Sequence, residues 1–399
     1  MKPFWARLEP RTRLKIPIVS AETNYTLVDE PAAFRKLLDT LEDYDIAALD
    51  TEADSRHHYA TRFCLIQITV GEGNWILDPL SELDITPLFK ARAMQTLILH
   101  GSDFDLRMLY QNYGFLPKTI FDTMLAARLL GREKVGLANL VEEFFGVELK
   151  KDNQKADWTL RPLPQDMVDY AFHDTVYLHE LAARLGDELE EKGRFLWHAE
   201  TCATLLNHVR ESSGVHLDRW RVDGSRHLDP CSLNLLKAIW EWRELAAEQQ
   251  DSPPYKVMTI ELMLAIVHSL REAYPAIDWA TMPKLPRNFV GKRLETFTQA
   301  IERANELPES AWPEREAKAP KPSSVPVPEL LVAMKCWRDE CAEALSIEPS
   351  LLANRNQLVA LCLPDKSTWN ERYDDANLMA WQRGLWNEIL LKNIGKGTP

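Results

Sequence analysis

At 399 residues the chain is long for one hydrophobic core and predicts two or three domains. Hydrophobic residues at 45% and charged residues at 27% exclude a disordered chain and provide packed cores under a charged surface. The net charge of −13 excludes a protein that is basic throughout, yet an acidic pocket carrying cations can still receive phosphate.

The start, Met1-Lys2-Pro3-Phe4-Trp5, lacks the sustained apolar stretch of a signal peptide. The longest apolar runs, such as Leu262 to Val267, fall far short of the ~20 residues that span a bilayer. A soluble, cytoplasmic protein with no membrane partner is expected, acting as a monomer. Cys64, Cys202, Cys231, Cys336, Cys341 and Cys362 form no CxxC pair, so the thiols read as free in a reducing compartment. Cys336 and Cys341 fit opposed faces of one helix. Basic residues gather locally, in Arg7, Arg11, Arg13 and Lys15 and again in Lys284, Arg287, Lys292 and Arg293.

In chain order, Ile46 to Asp50 is a short apolar run ending in a carboxylate, and reads as a strand. Arg62 to Val70 is rich in β-formers, and Asn74 to Leu77 follows after Gly71-Glu72-Gly73, a hairpin signal. A short helical stretch and a fourth strand, Thr96 to Leu99, come next. From Asp103 the pattern turns helical, with Leu106, Leu109 and Tyr110 at 3–4 spacing. Three strands with tight turns, a helix, a strand and more helices predict a mixed sheet with helices on its faces. Beyond about residue 195 the periodicity is helical throughout, as in Leu233, Leu236, Ile239 and Trp240. Residues 307–328 carry alternating charge and repeated prolines without periodicity, and predict a linker.

The segments flanking this linker repeat at an offset of 95. Leu235-Leu236 matches Leu330-Leu331, Trp242-Arg243-Glu244 matches Trp337-Arg338-Asp339, and Pro254 matches Pro349. Two copies of one small helical domain are expected. The predicted division is an α/β domain over 1–195, a connecting helix and first helical domain over 196–306, the linker, and a second helical domain over 329–399.

Three segments carry candidate chemistry. In Asp50-Thr51-Glu52 the two carboxylates are i and i+2 on a strand and point to one face. Close carboxylates repel unless a cation lies between them, and hard oxygen ligands select magnesium or manganese. In His100-Gly101-Ser102-Asp103-Phe104-Asp105 the glycine permits a sharp turn after the strand, and Asp103 and Asp105 fall in the first turn of a helix. Either could be a ligand or an ordinary cap. In Tyr170-Ala171-Phe172-His173-Asp174 the phenol and carboxylate are i and i+4 neighbours on a helix, so the phenol could orient a water for phosphoryl chemistry.

Taken in order, ALDTEAD, LILHGSDFDL and YAFHD resemble the three exonuclease motifs of the ribonuclease D family, a DEDD exonuclease group of the tyrosine subtype. FCLIQI, FDTMLAARLL and DWTLRPLP extend the likeness. The C-terminal repeats resemble the HRDC domain that RecQ-type helicases share with ribonuclease D. The resemblance covers most of residues 30 to 395. It implies a ribonuclease H-like fold and two divalent cations, Mg2+ or Mn2+, on Asp50, Glu52, Asp105 and Asp174, with Tyr170 positioning the attacking water. It also implies removal of single nucleotides from RNA 3′ ends, such as those of transfer RNA precursors, as 5′-monophosphates. The step of five from His100 favours Asp105 over Asp103.

Around this site, Thr51 and His100 are candidate substrate contacts, and His57 and His58 could also reach substrate. His100 reads first as a turn-stabilising residue. Asp122 reads as a helix cap or supporting residue and not a ligand, and His173 as turned away from the site. Trp158 and Arg161 could clamp a nucleic-acid backbone or brace their loop. Most tryptophans, Trp240 and Trp337 among them, read as packing. Two other functions share parts of the pattern: a DNA 3′–5′ exonuclease, using the same four acids, and a non-catalytic module binding nucleic acid or protein.

Overall fold

The computed structural model describes residues 24–54, 57–149, 156–212, 219–273, 285, 289–315, 326–364 and 368–393. The basic residues at 7–15, Lys284, Arg287 and residues 316–325 of the expected linker lie outside them.

The chain enters the fold through β1 (Thr26–Val28) and α1 (Pro31–Asp43), whose proline sits at the helix start and whose buried Phe34, Leu37 and Leu41 keep a 3–4 spacing. β2 (Ala47–Asp54), β3 (Arg62–Val70) and β4 (Gly73–Leu77) follow. Beyond two 3-10 turns, Thr86–Lys90 and Ala93–Gln95, come β5 (Thr96–Leu99), α2 (Asp103–Tyr113) and β6 (Thr119–Asp122). The sheet order is β1-β4-β3-β2-β5-β6. The β3/β4 hairpin is antiparallel, while β1/β4, β2/β5 and β5/β6 are parallel. β2 is thus an inner strand, covered on both faces, and Ala47, Ala48 and Leu49 are all fully buried.

The expected mixed sheet with helices is present. The sheet also contains β1 and β6, strands of 3 and 4 residues that the sequence reading did not include. The short helix expected before Thr96 is the pair of 3-10 turns.

Helices α3 (Thr123–Leu129), α4 (Leu137–Phe145), α5 (Gln165–Val176), α6 (Leu178–Glu191) and α7 (Phe195–Ser212) complete this part. Two helical sets follow in sequence. The first is α8 (Pro230–Gln249), α9 (Pro254–Val257), α10 (Ile260–Ala273) and α11 (Lys292–Glu306). The second is α12 (Pro328–Leu345), α13 (Pro349–Leu352), α14 (Arg355–Leu361), α15 (Trp369–Asp375) and α16 (Ala380–Asn393). α9 and α13 begin at Pro254 and Pro349, the pair matched by the repeat. The shared triplet has one structural role: Arg243 pairs with Glu244 at 2.6 Å, and Arg338 with Asp339 at 2.6 Å.

The chain forms two compact units, one of Met1–Ala53, Phe63–Gly214 and Pro322–Pro399, the other of Asp54–Arg62 and Val215–Lys321. In the first unit the second helical set shares a core with the α/β part. Ala342, Ile347, Leu352 and Trp381 pack with Leu129, Leu181 and Leu185. Trp381 stacks on Trp197 at 4.9 Å, and Glu200 accepts from the backbone N–H groups of Ala380 and Trp381 at 2.5 and 3.1 Å. Arg194 donates to Leu129 O and Leu345 O at 2.7 and 2.6 Å. At Gly131, φ +86°, a Cβ would lie 1.8 Å from Ser346 O, so this close approach requires glycine. Residues 329–399, expected as a domain set apart by a linker, are continuous with the α/β core.

In the second unit Leu236, Ile239, Trp242, Val267, Phe297 and Ile301 form the core. Trp240 and Trp337 are half-buried against the cores of their own helical sets, as packing residues are. Arg293 lies over the rings of Trp242 and Phe289, at 5.8 and 4.7 Å. The segment Asp54–Arg62 is held in this second unit, with Tyr59 N–H donating to Asp251 at 3.2 Å and Arg62 pairing with Asp251 at 3.4 Å.

Candidate metal and catalytic site

Strand period places Asp50 and Glu52 on one face of β2, and helix period places Tyr170 and Asp174 on one face of α5. The structure brings these elements together: a carboxylate oxygen from each of Asp50, Glu52 and Asp174 lies within 4.8 Å of the other two. Asp105, in the first turn of α2, is buried beside them and accepts a hydrogen bond from the Thr51 hydroxyl.

The electrostatics follow from four acids sharing a buried volume. Burial pushes Asp50 well above the usual carboxylate range, with Asp174, Asp105 and Glu52 adding repulsion. Glu52 is pushed up to about 9 by burial and by the charges of Asp174 and Asp105. Asp174 rises to about 7, by burial and then by Asp105. Burial raises Asp105 to about 6, opposed by the Thr51 hydrogen bond. Close carboxylates of this kind are ionised together only when a cation neutralises them. The donor set is hard oxygen, so the residues fit a divalent cation of the magnesium and manganese class.

Asp103, the alternative to Asp105, is exposed and paired in two contacts with Arg107, both at 2.9 Å. His100 Nδ1 lies 2.9 Å from Thr123 Oγ1, which itself donates to Leu99 O at 3.1 Å. The threonine therefore accepts from His100 Nδ1–H, which ties His100 to the end of β5, and burial lowers the imidazole pKa. Asp122 caps α3, accepting from Met124 and Leu125 N–H.

Thr51, Trp158 and Arg161 were candidate substrate contacts; Thr51 and Trp158 are buried, while Arg161 is exposed with its guanidinium engaged by protein oxygens. The Thr51 hydroxyl is directed to Asp105. Trp158 is 2% exposed, among Cys64, Leu65, Ile76, Met167 and Val168, with its ring 6.0 Å from that of Tyr170. Arg161 forms a two-pronged pair with Asp78 at 2.5 and 2.7 Å. It also donates to the carbonyls of Trp158, Leu160 and Cys64 at 2.9, 2.7 and 2.8 Å. Its donors are directed to these protein oxygens, a geometry that fits the bracing reading of Trp158 and Arg161. His173 turns back to Asp169 O at 2.5 Å, and His58 pairs with Asp54. His57 N–H donates to Asp54 at 2.9 Å.

Sequence reasoning missed Asp78 and Arg107. Arg107 was visible as an i,i+4 partner of Asp103. Asp78 was not, because its partner is 83 positions away.

The fold and site define the class as a 3′–5′ exonuclease with an appended HRDC domain. A family described as "3'-5' exonuclease" matches residues 25–190, and the HRDC domain family matches residues 232–272. Ribonuclease D of Zymomonas mobilis is 32% identical over 301 residues, covering 73% of this chain and 75% of that protein. The crystal structure titled "Escherichia coli RNase D, an exoribonuclease involved in structured RNA processing" superposes with a TM-score of 0.68 at 26% identity, covering 93% of this chain and 99% of that one. The exosome complex component 10 homolog of Drosophila melanogaster is 28% identical over 73% of this chain, which spans only 33% of that longer protein. The chain belongs to the ribonuclease D family and is a 3′–5′ exoribonuclease. The fold and its acidic cluster imply use of divalent metal. Among the described residues no helix is long and apolar enough to cross a membrane.

Proposed function

We propose that the protein hydrolyses the terminal phosphodiester of single-stranded RNA 3′ ends by two-metal chemistry, releasing one 5′-mononucleotide per turn. The convergence of Asp50, Glu52 and Asp174 within 4.8 Å carries this reading, with Asp105 buried beside them. These four acids would hold two Mg2+ or Mn2+ ions, which supply charge neutralisation at the attacking and leaving oxygens.

The chain's own residues set the rest. Tyr170, one turn before Asp174 on α5, presents its phenol to the attacking water and fixes the direction of attack. The water oxygen bonds to phosphorus as the bond to the O3′ leaving group breaks; one water proton is lost and O3′ gains one. Trp158 and the Arg161–Asp78 pair hold the entry to α5, so Tyr170 and Asp174 keep their register with β2.

The substrates of this reading are structured RNAs with single-stranded tails, such as transfer RNA precursors, processed in the cytoplasm by a monomer. Support comes from the likeness to Escherichia coli RNase D, an exoribonuclease involved in structured RNA processing. The catalytic acids lie within residues 1–195, and the helical sets would receive the RNA.

The test uses 5′-labelled RNA with a single-stranded 3′ tail, with and without chelator, comparing wild type with Asp174→Asn. A ladder shortening one nucleotide at a time, lost in chelator and in the variant, is expected. Full activity in either condition would sink the two-metal assignment. A DNA strand of the same sequence, degraded faster than the RNA, would favour the DNA-exonuclease reading.

A further inference from the structure

Asp122 ends β6, where the register pairs it with Leu99, the last residue of β5. It is 1% exposed. Its carboxylate takes donors from two directions. On one side it caps α3 through Met124 and Leu125 N–H, at 2.9 and 3.1 Å to Oδ1. On the other it holds the turn that starts α2: Gly101 N–H donates to Oδ1 at 3.1 Å, and Ser102 donates through both N–H and Oγ to Oδ2 at 2.8 Å. A helix cap needs only the first side. From α7, His198 Nε2 lies 3.0 Å from the Asp122 carbonyl and fixes its backbone.

The turn leads directly to the metal site. Gly101 has φ +69°, and a Cβ there would lie 2.9 Å from Met124 Cε, so the turn is tight against α3. Ser102 is the residue before α2, and its carbonyl accepts from Leu106 N–H at 3.0 Å. Asp105 lies three residues on, within the first helical turn. Any rotation of the Ser102 peptide is transmitted to Asp105 through one turn of hydrogen-bonded backbone.

We propose that Asp122 is a positioning residue for the reaction: its carboxylate clasps Gly101 and Ser102 and thereby places Asp105 against Asp50, Glu52 and Asp174. The proposal rests on the reading of those four acids as metal ligands. The clasp requires a group that only accepts, because every partner donates. Asparagine can keep Oδ1 toward Gly101, Met124 and Leu125, but then sets its NH2 against the Ser102 N–H. Asp122→Asn therefore retains the α3 cap and loosens the turn, separating a structural role from a positioning one.

The experiment titrates Mn2+ into the full-length protein and reads the free ion by electron paramagnetic resonance, alongside thermal unfolding. Asp122→Asn is expected to weaken Mn2+ binding about 10-fold or more, as loss of groups that orient metal ligands does. Leu140→Ala, a core truncation on α4 at a fully buried site, serves as the destabilised control and is expected to leave Mn2+ affinity at the wild-type level. RNA hydrolysis by Asp122→Asn should recover most of its kcat at high Mn2+. Wild-type affinity in Asp122→Asn, or a loss no larger than in Leu140→Ala, overturns the proposal while leaving the metal site standing. A wild-type protein that leaves all Mn2+ free overturns the metal reading and this proposal with it. If Asp122→Asn does not fold, Ser102→Ala decides: it removes only the Oγ bond and should shift affinity several-fold in the same direction, and no shift counts against the clasp.

Discussion

The hydroxyl of Thr51 donates to Asp105, joining β2 to α2 across 54 positions of sequence. Thr51 sits between two acids of the site and its hydroxyl is held by a third. Thr51→Val removes the donor and leaves Asp105 buried with fewer hydrogen bonds. We expect kcat to fall about 10-fold, as loss of a ligand-orienting bond does, with KM for RNA nearly unchanged and Thr51→Ser restoring most of the rate. A rise in KM at constant kcat would instead make Thr51 a substrate contact.

Tyr170→Phe keeps the ring against Trp158 and removes only the phenol oxygen. Water orientation is lost while the four acids are untouched. Single-turnover hydrolysis should slow by roughly 100-fold or more, with Mn2+ binding at the wild-type level. Equal rates for both proteins would remove Tyr170 from the reaction.

Without cation the raised acids set a pH slope. Glu52 at about 9, Asp174 at about 7 and Asp105 at about 6 are all more easily protonated in the folded chain than in the unfolded one. Their contribution to stability is complete below about pH 4, the unfolded carboxylate range, and is lost as pH rises through about 6 to 9. The midpoint of thermal unfolding in chelator should therefore fall across that window. Added Mg2+ should reverse the fall, stabilising by about 2–3 kcal/mol at 100 times its Kd, and should do so more at pH 9 than at pH 5. A chelated protein equally stable at pH 5 and pH 9 would contradict the shared burial of these acids.

Arg161→Lys cannot reproduce the planar pairing with Asp78 or reach the three carbonyls at once. A loss of about 1–3 kcal/mol in stability is expected, with little change in KM for RNA, because the guanidinium is directed to the protein. Denaturant melts and steady-state kinetics check this together. A KM raised tenfold in a fully stable variant would show that Arg161 reaches substrate.

With a linker at 307–328 and a second helical domain beyond it, deleting residues 307–399 is expected from sequence to spare the chemical step. The shared core changes that expectation. Removing Ala342, Ile347, Leu352 and Trp381 exposes Leu129, Leu181 and Leu185, so the shortened chain should aggregate or melt without a cooperative transition. The milder Trp381→Ala should cost about 3–5 kcal/mol. A soluble truncated chain with a sharp melt would show that the α/β core stands alone.

Much of the site was legible in sequence because its acids obey local periods: two residues for Asp50 and Glu52, four for Tyr170 and Asp174. Choosing between Asp103 and Asp105 needed one more local clue, Arg107, whose i,i+4 spacing ties up Asp103. What stayed hidden was long-range. The 83-residue separation of Arg161 from Asp78 left clamping and bracing equally open. The merging of the second helical set with the α/β core depends on which apolar face meets which. A helical period shows that a face is apolar and says nothing of its partner. β1 was missed because it is three residues long, and β6 because Thr119 and Asp122 leave it two apolar residues where β5 has the run Leu97-Ile98-Leu99.

The late contribution of α12 to α16 to the core of the catalytic part bears on when the protein becomes an enzyme. A ribosome making this chain finishes β2, α2 and α5 long before it reaches Trp381, so the clustered acids emerge well before the shared core of the first unit can close. During that interval the nascent chain is tethered to a messenger RNA, itself a substrate by chemistry.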